Sequence, residues 1–204
     1  MKGLSLLKKH GVEYNAMGVV NDYNVDYPLE FYNFFKSIDC RFIQFSPIVE
    51  RINGEPASWN VPAAGWGDFL IAIFNEWVRN DVGQFYIQYF DSTLANWVGA
   101  DPGVCTLAKY CGHAGVMEFN GDVYSCDHFV YPKYKLGNIK THTLTEMMYS
   151  PQQMRFGQDK YDKLPRQCKE CDVLFACHGE CPKNRIIKTK DGEEGLNYLC
   201  EGYY

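Results

Sequence analysis

Apolar and polar positions divide the 204-residue chain into two stretches of different rhythm. In the first, "VEYNAMGVV" (Val12 to Val20) is a short apolar, partly β-branched run stopped by the turn-rich "NDYN", and it predicts a buried strand. "YPLEFYNFFKSI" then carries apolar residues at helical spacing, with Pro28 near the first turn, where its missing N–H is tolerated. "RFIQFSPIV" (Arg41 to Val49) predicts a second strand, "WGDFLIAIFNEWVRN" (Trp66 to Asn80) a second helix, and "GQFYIQYF" (Gly83 to Phe90) a third strand. This β-α-β-α-β alternation predicts a parallel sheet with right-handed crossovers, as in a barrel or a doubly wound fold. Strands of such a sheet are buried on both faces, so Val12 to Val20 is expected to need a neighbour on its open edge. Three strands cannot close a barrel, and the chain reads as the second half of a larger α/β unit. The aromatics of "FYNFF" and "WGDFLIAIF" fall at helical spacing and are read as core.

The second stretch begins near residue 100, where Gly, Asp, Lys and Pro become frequent. "VMEF" and "DVYS" alternate on either side of Asn120-Gly121, a strong signal for a tight hairpin turn with positive φ. The hairpin sets Cys111 before one strand and Cys126 at the end of the other, so both can lie at the same end. Downstream, "TLTE" (Thr143 to Glu146) and "SPQQ" (Ser150 to Gln153) read as capping boxes that open short helices. The expected organisation is two regions, residues 1–99 and 100–204.

Composition changes this picture in two ways. Hydrophobic residues make up 46% of the chain, which argues for a packed fold, and a formal charge of −5 gives no electrostatic reason to expect nucleic acid or an anionic membrane as partner. No apolar run approaches the ~20 residues that span a bilayer. "MKGLSLLKKHG" has too short an apolar core and no small-residue cleavage site for a signal peptide. A cytoplasmic chain is therefore expected. In that reducing compartment nine cysteines point to metal or cluster ligation, not to disulfides.

The spacing of those cysteines is the chemical core of the sequence. Cys40 stands alone in "SIDCRF" and reads as a small core residue. From Cys105 the pattern runs C-x5-C-x14-C, then after a long interval C-x2-C-x5-C-x3-C, and finally Cys200. "CKECDVLFACHGEC" alone holds Cys168, Cys171, Cys177 and Cys181. Eight ligands make two four-sulfur sites, and a C-x2-C turn aims two thiolates and nearby N–H groups at one centre. Spacing leaves structural zinc and iron–sulfur clusters both open.

With "NGDVYSCD" inside the first group and "LGNI" after it, the pattern resembles the SPASM domain of radical S-adenosylmethionine enzymes. "EYNAMGVVND", "RFIQFSPIVE" and "IQYFD" are similar to the last barrel strands of anaerobic sulfatase-maturating enzymes. The resemblance covers essentially the whole chain. It implies an α/β fold: the C-terminal strands and helices of a partial (β/α) barrel, then a small α+β domain with a β-hairpin.

It also implies two auxiliary [4Fe–4S] clusters, one on Cys105, Cys111, Cys126 and Cys181, the other on Cys168, Cys171, Cys177 and Cys200. The implied chemistry is oxidation of a sulfatase Cys or Ser to Cα-formylglycine. Asp127, directly after Cys126, matches the general base, with a pKa expected to be raised by burial and cluster charge. Val49, at the end of the second strand, matches an apolar contact to the adenosyl cofactor. Gln88 and Asp91 lie where they could face a peptide, or are plain surface residues, and His128 is read as a packed or exposed histidine.

One departure is severe. The family's catalytic cluster sits on C-x3-C-x2-C, and Cys177-x3-Cys181 has no third cysteine. S-adenosylmethionine and a third cluster are therefore expected only in a full-length enzyme, and this chain is expected to be its C-terminal half, inactive alone. The expected partner is a sulfatase polypeptide, with self-association through the open barrel edge and zinc capture in aerobic preparations. A maturase for another ribosomal peptide, or a non-catalytic cluster- or zinc-binding module, are the alternative readings.

Overall fold

The computed structural model describes every residue, Met1–Tyr204. In chain order the elements are α1 (Lys2–Lys9), β1 (Ala16–Val20), α2 (Pro28–Ser37), β2 (Phe42–Pro47), β3 (Arg51–Ile52), β4 (Glu55–Pro56), α3 (Ala63–Asn80), β5 (Tyr86–Ile87) and α4 (Gln88–Trp97). These are followed by β6 (Val116–Met117), β7 (Asp122–Tyr124), β8 (Lys135–Asn138), α5 (Leu144–Met148), α6 (Pro151–Asp162), α7 (Arg166–Lys169), α8 (Leu174–Cys177), β9 (Ile187–Lys188), β10 (Glu194–Leu196) and α9 (Cys200–Tyr203). The chain divides into two compact units, Met1–Leu94 with Glu201–Tyr204, and Ala95–Cys200.

The first unit is built on a parallel sheet of order β1-β2-β5, in which Gly18 pairs with Phe45 and Ile43 with Ile87. Pro28 occupies the first turn of α2. The face carrying Gly18, Val20, Ile43, Phe45 and Ile87 is buried. Gly18 is required there, because a Cβ would stand 2.9 Å from the Phe31 ring of α2. Trp66, Phe69 and Ile73 of α3 and Tyr32 of α2 are fully buried, and the Trp66 and Phe69 rings stack with centroids 5.8 Å apart. Each such side chain contributes about 1.5–3 kcal/mol by leaving water. Cys40 is fully buried among them. Asp81, 5% exposed, accepts from Tyr32 Oη at 2.9 Å and from Lys36 Nζ at 2.7 Å, so this buried carboxylate is paired. At the chain's end, Gly202 of α9 lies against α3 so closely that a Cβ would meet the Ala63 carbonyl oxygen at 2.2 Å.

Three expectations need correction here. The opposite face of the sheet is not buried: Met17, Val19, Phe42 and Tyr86 are exposed, with the last two rings stacked at 5.1 Å. The first strand starts at Ala16, since Val12 donates its N–H to Leu7 O and belongs to the end of α1, a helix with no buried residue. The third strand stops at Ile87, and the strand-like "QYF" opens α4. There Phe90 turns back onto Phe74 and Trp77, at 5.4 Å from each.

The second unit carries an antiparallel sheet of order β6-β7-β8. Its β6–β7 turn closes with Gly121 N–H donating to Glu118 O at 2.9 Å, and of the Asn120-Gly121 pair only Gly121 takes positive φ, +89°. That is a three-residue loop ending in a glycine bulge, not the two-residue turn the dipeptide suggests. Thr143 and Glu146 form a complete capping box. Ser150 accepts from Gln153 N at 3.2 Å, but the Gln153 side chain goes elsewhere, so the second box is half made. The α6 face of Gln153, Gly157 and Lys160 is buried. A small apolar cluster of Leu164, Cys168 and Leu196 completes the unit. No helix of the chain is long and apolar enough to cross a membrane.

Candidate metal centres

Cys111 and Cys126 are fixed by α6. Cys111 N–H donates to Gly157 O at 3.3 Å, and a Cβ at residue 157 would stand 2.3 Å from the Cys111 carbonyl oxygen, so only glycine admits the loop. Gly112 next to it takes φ +88°. Gln153, 1% exposed, donates Nε2 to Gly112 O at 2.7 Å and to Ser125 O at 3.1 Å. One amide thereby ties together the residue after Cys111 and the residue before Cys126. Lys160, fully buried, donates Nζ to the carbonyls of Cys105 (2.6 Å), Thr106 (2.8 Å) and Ala108, fastening the turn that carries Cys105. Burial pushes its amine down to about 8. Cys181 precedes the turn Pro182–Asn184.

Burial pushes Cys126 up to about 12, and the charge of Cys105 adds to it. Burial likewise lifts Cys181 to about 12, with Cys126 and Cys105 contributing, and raises Cys111, with Cys105 contributing.

The other four form a second set. Cys168 lies in α7 and is pushed up to about 11 by burial and then by Cys200, Cys177 and Cys171. Cys177 closes α8 and is also lifted to about 11 by burial, while Gly179 N–H donates to its Sγ at 3.2 Å and opposes the rise. Burial raises Cys200, with Cys171 contributing. His178, Gly179 and Glu180 run through the left-handed region at φ +48°, +67° and +49°. For His178 and Glu180 that conformation is costly and must be held by the surroundings.

Thus Cys111, Cys126 and Cys181 are lifted by burial with the charge of Cys105 adding, and Cys168, Cys177 and Cys200 by burial with other cysteines of the C-terminal group adding. A thiol lifted in this way keeps its proton until a cation replaces it. Soft thiolate donors select zinc, copper(I) or iron–sulfur clusters. The backbone N–H of Gly179 hydrogen-bonds Cys177 Sγ, and the backbone N–H groups of Gly112, His128 and Lys183 oppose the rise of Cys111, Cys126 and Cys181, which favours the thiolate form. The donor set fits zinc and iron–sulfur clusters alike.

The remaining sequence candidates fall in different surroundings. Asp127 is exposed and opens the short turn Asp127–Phe129. Cys126 Sγ–H donates to its Oδ1 at 3.1 Å, and this holds the carboxyl below its usual range, the reverse of the rise expected from burial. His128 is exposed. Val49 is 1% exposed, a core side chain with little surface for a ligand. Gln88 and Asp91 line an open cavity of about 380 Å³ with Asn15, Gln44 and Ser92, where partial desolvation raises the carboxyl of the otherwise exposed Asp91. Sequence reasoning missed Gln153 and Lys160. Their spacing with Gly157 on one helical face was the available signal, hidden by the polarity of "PQQMRFGQDKYD".

Residues 111–172 match the SPASM family, an iron–sulfur cluster-binding domain. The chain is 65% identical over its whole length to a serine-type anaerobic sulfatase-maturating enzyme of Bacteroides thetaiotaomicron, covering 53% of that protein. It is 30% identical to a cysteine-type anaerobic sulfatase-maturating enzyme of Clostridium novyi, covering 100% of this chain and 55% of that one. Among solved structures, native anSMEcpe with bound AdoMet and Cp18Cys peptide superposes with a TM-score of 0.84 at 28% identity, over 99% of this chain and 56% of that one. The chain spans about half the length of the curated relatives it matches.

Proposed function

We propose that the chain, which is similar over its whole length to anaerobic sulfatase-maturating enzymes about twice as long, supplies the electron-transfer half of such an enzyme, acting on a sulfatase polypeptide in the cytoplasm. The observation that carries this reading is the homology over the full chain at 65% identity. The two thiol sets support it. In this reading Cys105, Cys111, Cys126 and Cys181 hold one [4Fe–4S] cluster, and Cys168, Cys171, Cys177 and Cys200 hold another. Bound clusters of this kind exchange single electrons. Zinc is the competitor in aerobic preparations, since it too takes thiolates.

The rest is the work of the chain's own side chains. Asp127, exposed beside Cys126, takes the proton released as the substrate side chain is oxidised to Cα-formylglycine. Once Cys126 is a metal-bound thiolate it no longer donates to that carboxylate, which frees an oxygen for the substrate. Val49 serves the adenosyl site only through packing, as a buried wall residue. The exposed β1-β2-β5 face, with Met17, Val19, Phe42 and Tyr86, is where the remaining half of the barrel, or a second copy of the chain, would cover apolar surface. The 65% relative is named for serine, and a serine-bearing sulfatase is accordingly the favoured substrate.

The test is a graft. Joined behind the N-terminal half of the Bacteroides thetaiotaomicron enzyme, the chain should convert a serine-containing sulfatase peptide to formylglycine. Asp127→Asn should depress that product far more than cleavage of S-adenosylmethionine. A graft that cleaves the cofactor yet leaves every sulfatase peptide unmodified would sink the reading. Unchanged product formation in Asp127→Asn would remove Asp127 from it.

A further inference from the structure

Two cations of the second unit, Lys160 fully buried and Arg185 half-buried, direct all their hydrogen bonds at backbone carbonyls. Lys160 is fully buried, and its three donations, to Cys105, Thr106 and Ala108, need all three protons of the ammonium form. Arg185 donates to the carbonyls of Lys160 (2.6 Å), Gly179 (3.1 Å), Glu180 (3.2 Å) and His178 (3.4 Å). The nearby buried carboxylate is Glu180, 6% exposed. Its Oε2 accepts instead from the amides of Asn184 at 3.1 Å and Asn197 at 2.9 Å.

Carbonyls solvate a cation without neutralising it, and an uncompensated charge in the interior costs several kcal/mol. Two cations against one carboxylate therefore require negative charge nearby. The thiol sets are where it can reside. Lys160 is hydrogen-bonded to the carbonyl of Cys105, in the first set. Arg185 is hydrogen-bonded to the carbonyls of His178, Gly179 and Glu180, the segment that joins Cys177 of the second set to Cys181 of the first. Glu180 lies in that same segment, and its charge raises both Cys177 and Cys181.

The geometry points to Lys160 and Arg185 as the residues that set the electron affinity of the bound clusters, Lys160 for the first cluster and Arg185 for both, with Glu180 opposing them. Each one-electron reduction adds negative charge to a cluster already carrying four thiolates. A buried cation stabilises the reduced form more than the oxidised one and moves the potential upward; a buried carboxylate moves it downward. Arg185, shared between the sets, also weakens the repulsion between two charged clusters. The inference rests on the reading that both sets hold clusters.

The experiment uses the 204-residue chain, reconstituted anaerobically with ferrous iron and sulfide. Iron and sulfide are counted, and the chain is then titrated with dithionite through redox mediators while electron paramagnetic resonance follows each reduced cluster. Lys160→Met should shift one midpoint negative and leave the other in place. Arg185→Met should shift both, and Arg185→Lys, which keeps the charge, should restore both. Glu180→Gln is isosteric, can still pair with Asn184 and Asn197, and should shift both midpoints positive. At a fixed poise each shift should change the reduced-to-oxidised ratio about tenfold, ~59 mV for one electron. Should Lys160→Met fail to load iron, Glu180→Gln carries the decision alone. Full loading with unmoved midpoints in Glu180→Gln and in whichever cation variants load overturns the proposal. A parent chain that takes up neither iron nor sulfide overturns the cluster reading beneath it.

Discussion

The two units are held together by different means. In the first, long periodic elements bring Trp66, Phe69, Tyr32 and Ile73 out of water, and its buried carboxylate Asp81 has both a hydroxyl and an ammonium partner. In the second, helices such as α7 and α8 have four residues each, and one small apolar cluster is Leu164, Cys168 and Leu196. The buried interior there mixes apolar residues such as Leu107, Val123, Met147 and Leu199 with Gln153, Lys160, Glu180, Asn184 and Asn197, each held in a particular hydrogen bond. Such an interior fixes where groups stand but supplies less hydrophobic driving force than the aromatic core of the first unit. The first unit is stable through its core; a metal or cluster held by the cysteines would add its binding free energy to the stability of the second.

The strongest way to break that contrast is to take the metal away. Iron chelation under anaerobic, reducing conditions should strip amide-exchange protection from most of residues 95–200 while leaving the protected core of β1, β2 and α3 intact. Equal loss in both units would mean that the second does not depend on its thiol sites more than the first. A smaller effect, in the opposite direction, comes from Phe69→Ala. Emptying this fully buried position should destabilise the first unit by about 3–5 kcal/mol, with the visible absorption of the iron-loaded second unit unchanged, as a paired calorimetric and optical melt would record.

The smallest effect concerns charge in the first unit. Asp91 is largely exposed, and partial desolvation in its cavity raises its carboxyl above the unfolded value of 3.8, an effect that solvent keeps small. A folded acid with a raised pKa holds its proton more tightly than the unfolded chain does, so stability is greatest below 3.8 and falls as pH rises through the folded value. Asp91→Asn removes that penalty. It should raise the melting temperature slightly at pH 7 and lose its advantage below pH 3.8, and an advantage that persists in acid would show that the carboxyl is not the cause.

The sequence made the apolar half of this picture easy to read. Helices α2 and α3 and strands β1 and β2 follow the hydrophobic rhythm, because burial of regular faces is what that rhythm encodes. Strand β5 was overextended, since "FYIQYF" has strand-like composition and only the Phe90 contacts with Phe74 and Trp77 reveal that the chain has turned into α4. The thiol sets were legible as eight cysteines, but their grouping came from resemblance; spacing alone does not place Cys181 with Cys105 across the chain. The polar scaffold was invisible. A lysine, an arginine and a glutamine look like surface in a sequence, and the buried face of α6 is marked by a glycine and two polar residues where an amphipathic pattern has aliphatics.

Finally, the return of α9 to α3 has a topological consequence. The chain leaves the first unit after Leu94 and re-enters it at Glu201, where Gly202 seats against Ala63 and Tyr203 stacks on Tyr89 at 6.0 Å. The second unit is therefore an insertion with both ends anchored, and its denatured form is a closed loop, not a free tail. Loop-closure entropy grows only with the logarithm of length, about 0.6 kcal/mol per doubling, so the clasp can persist while the insertion is disordered.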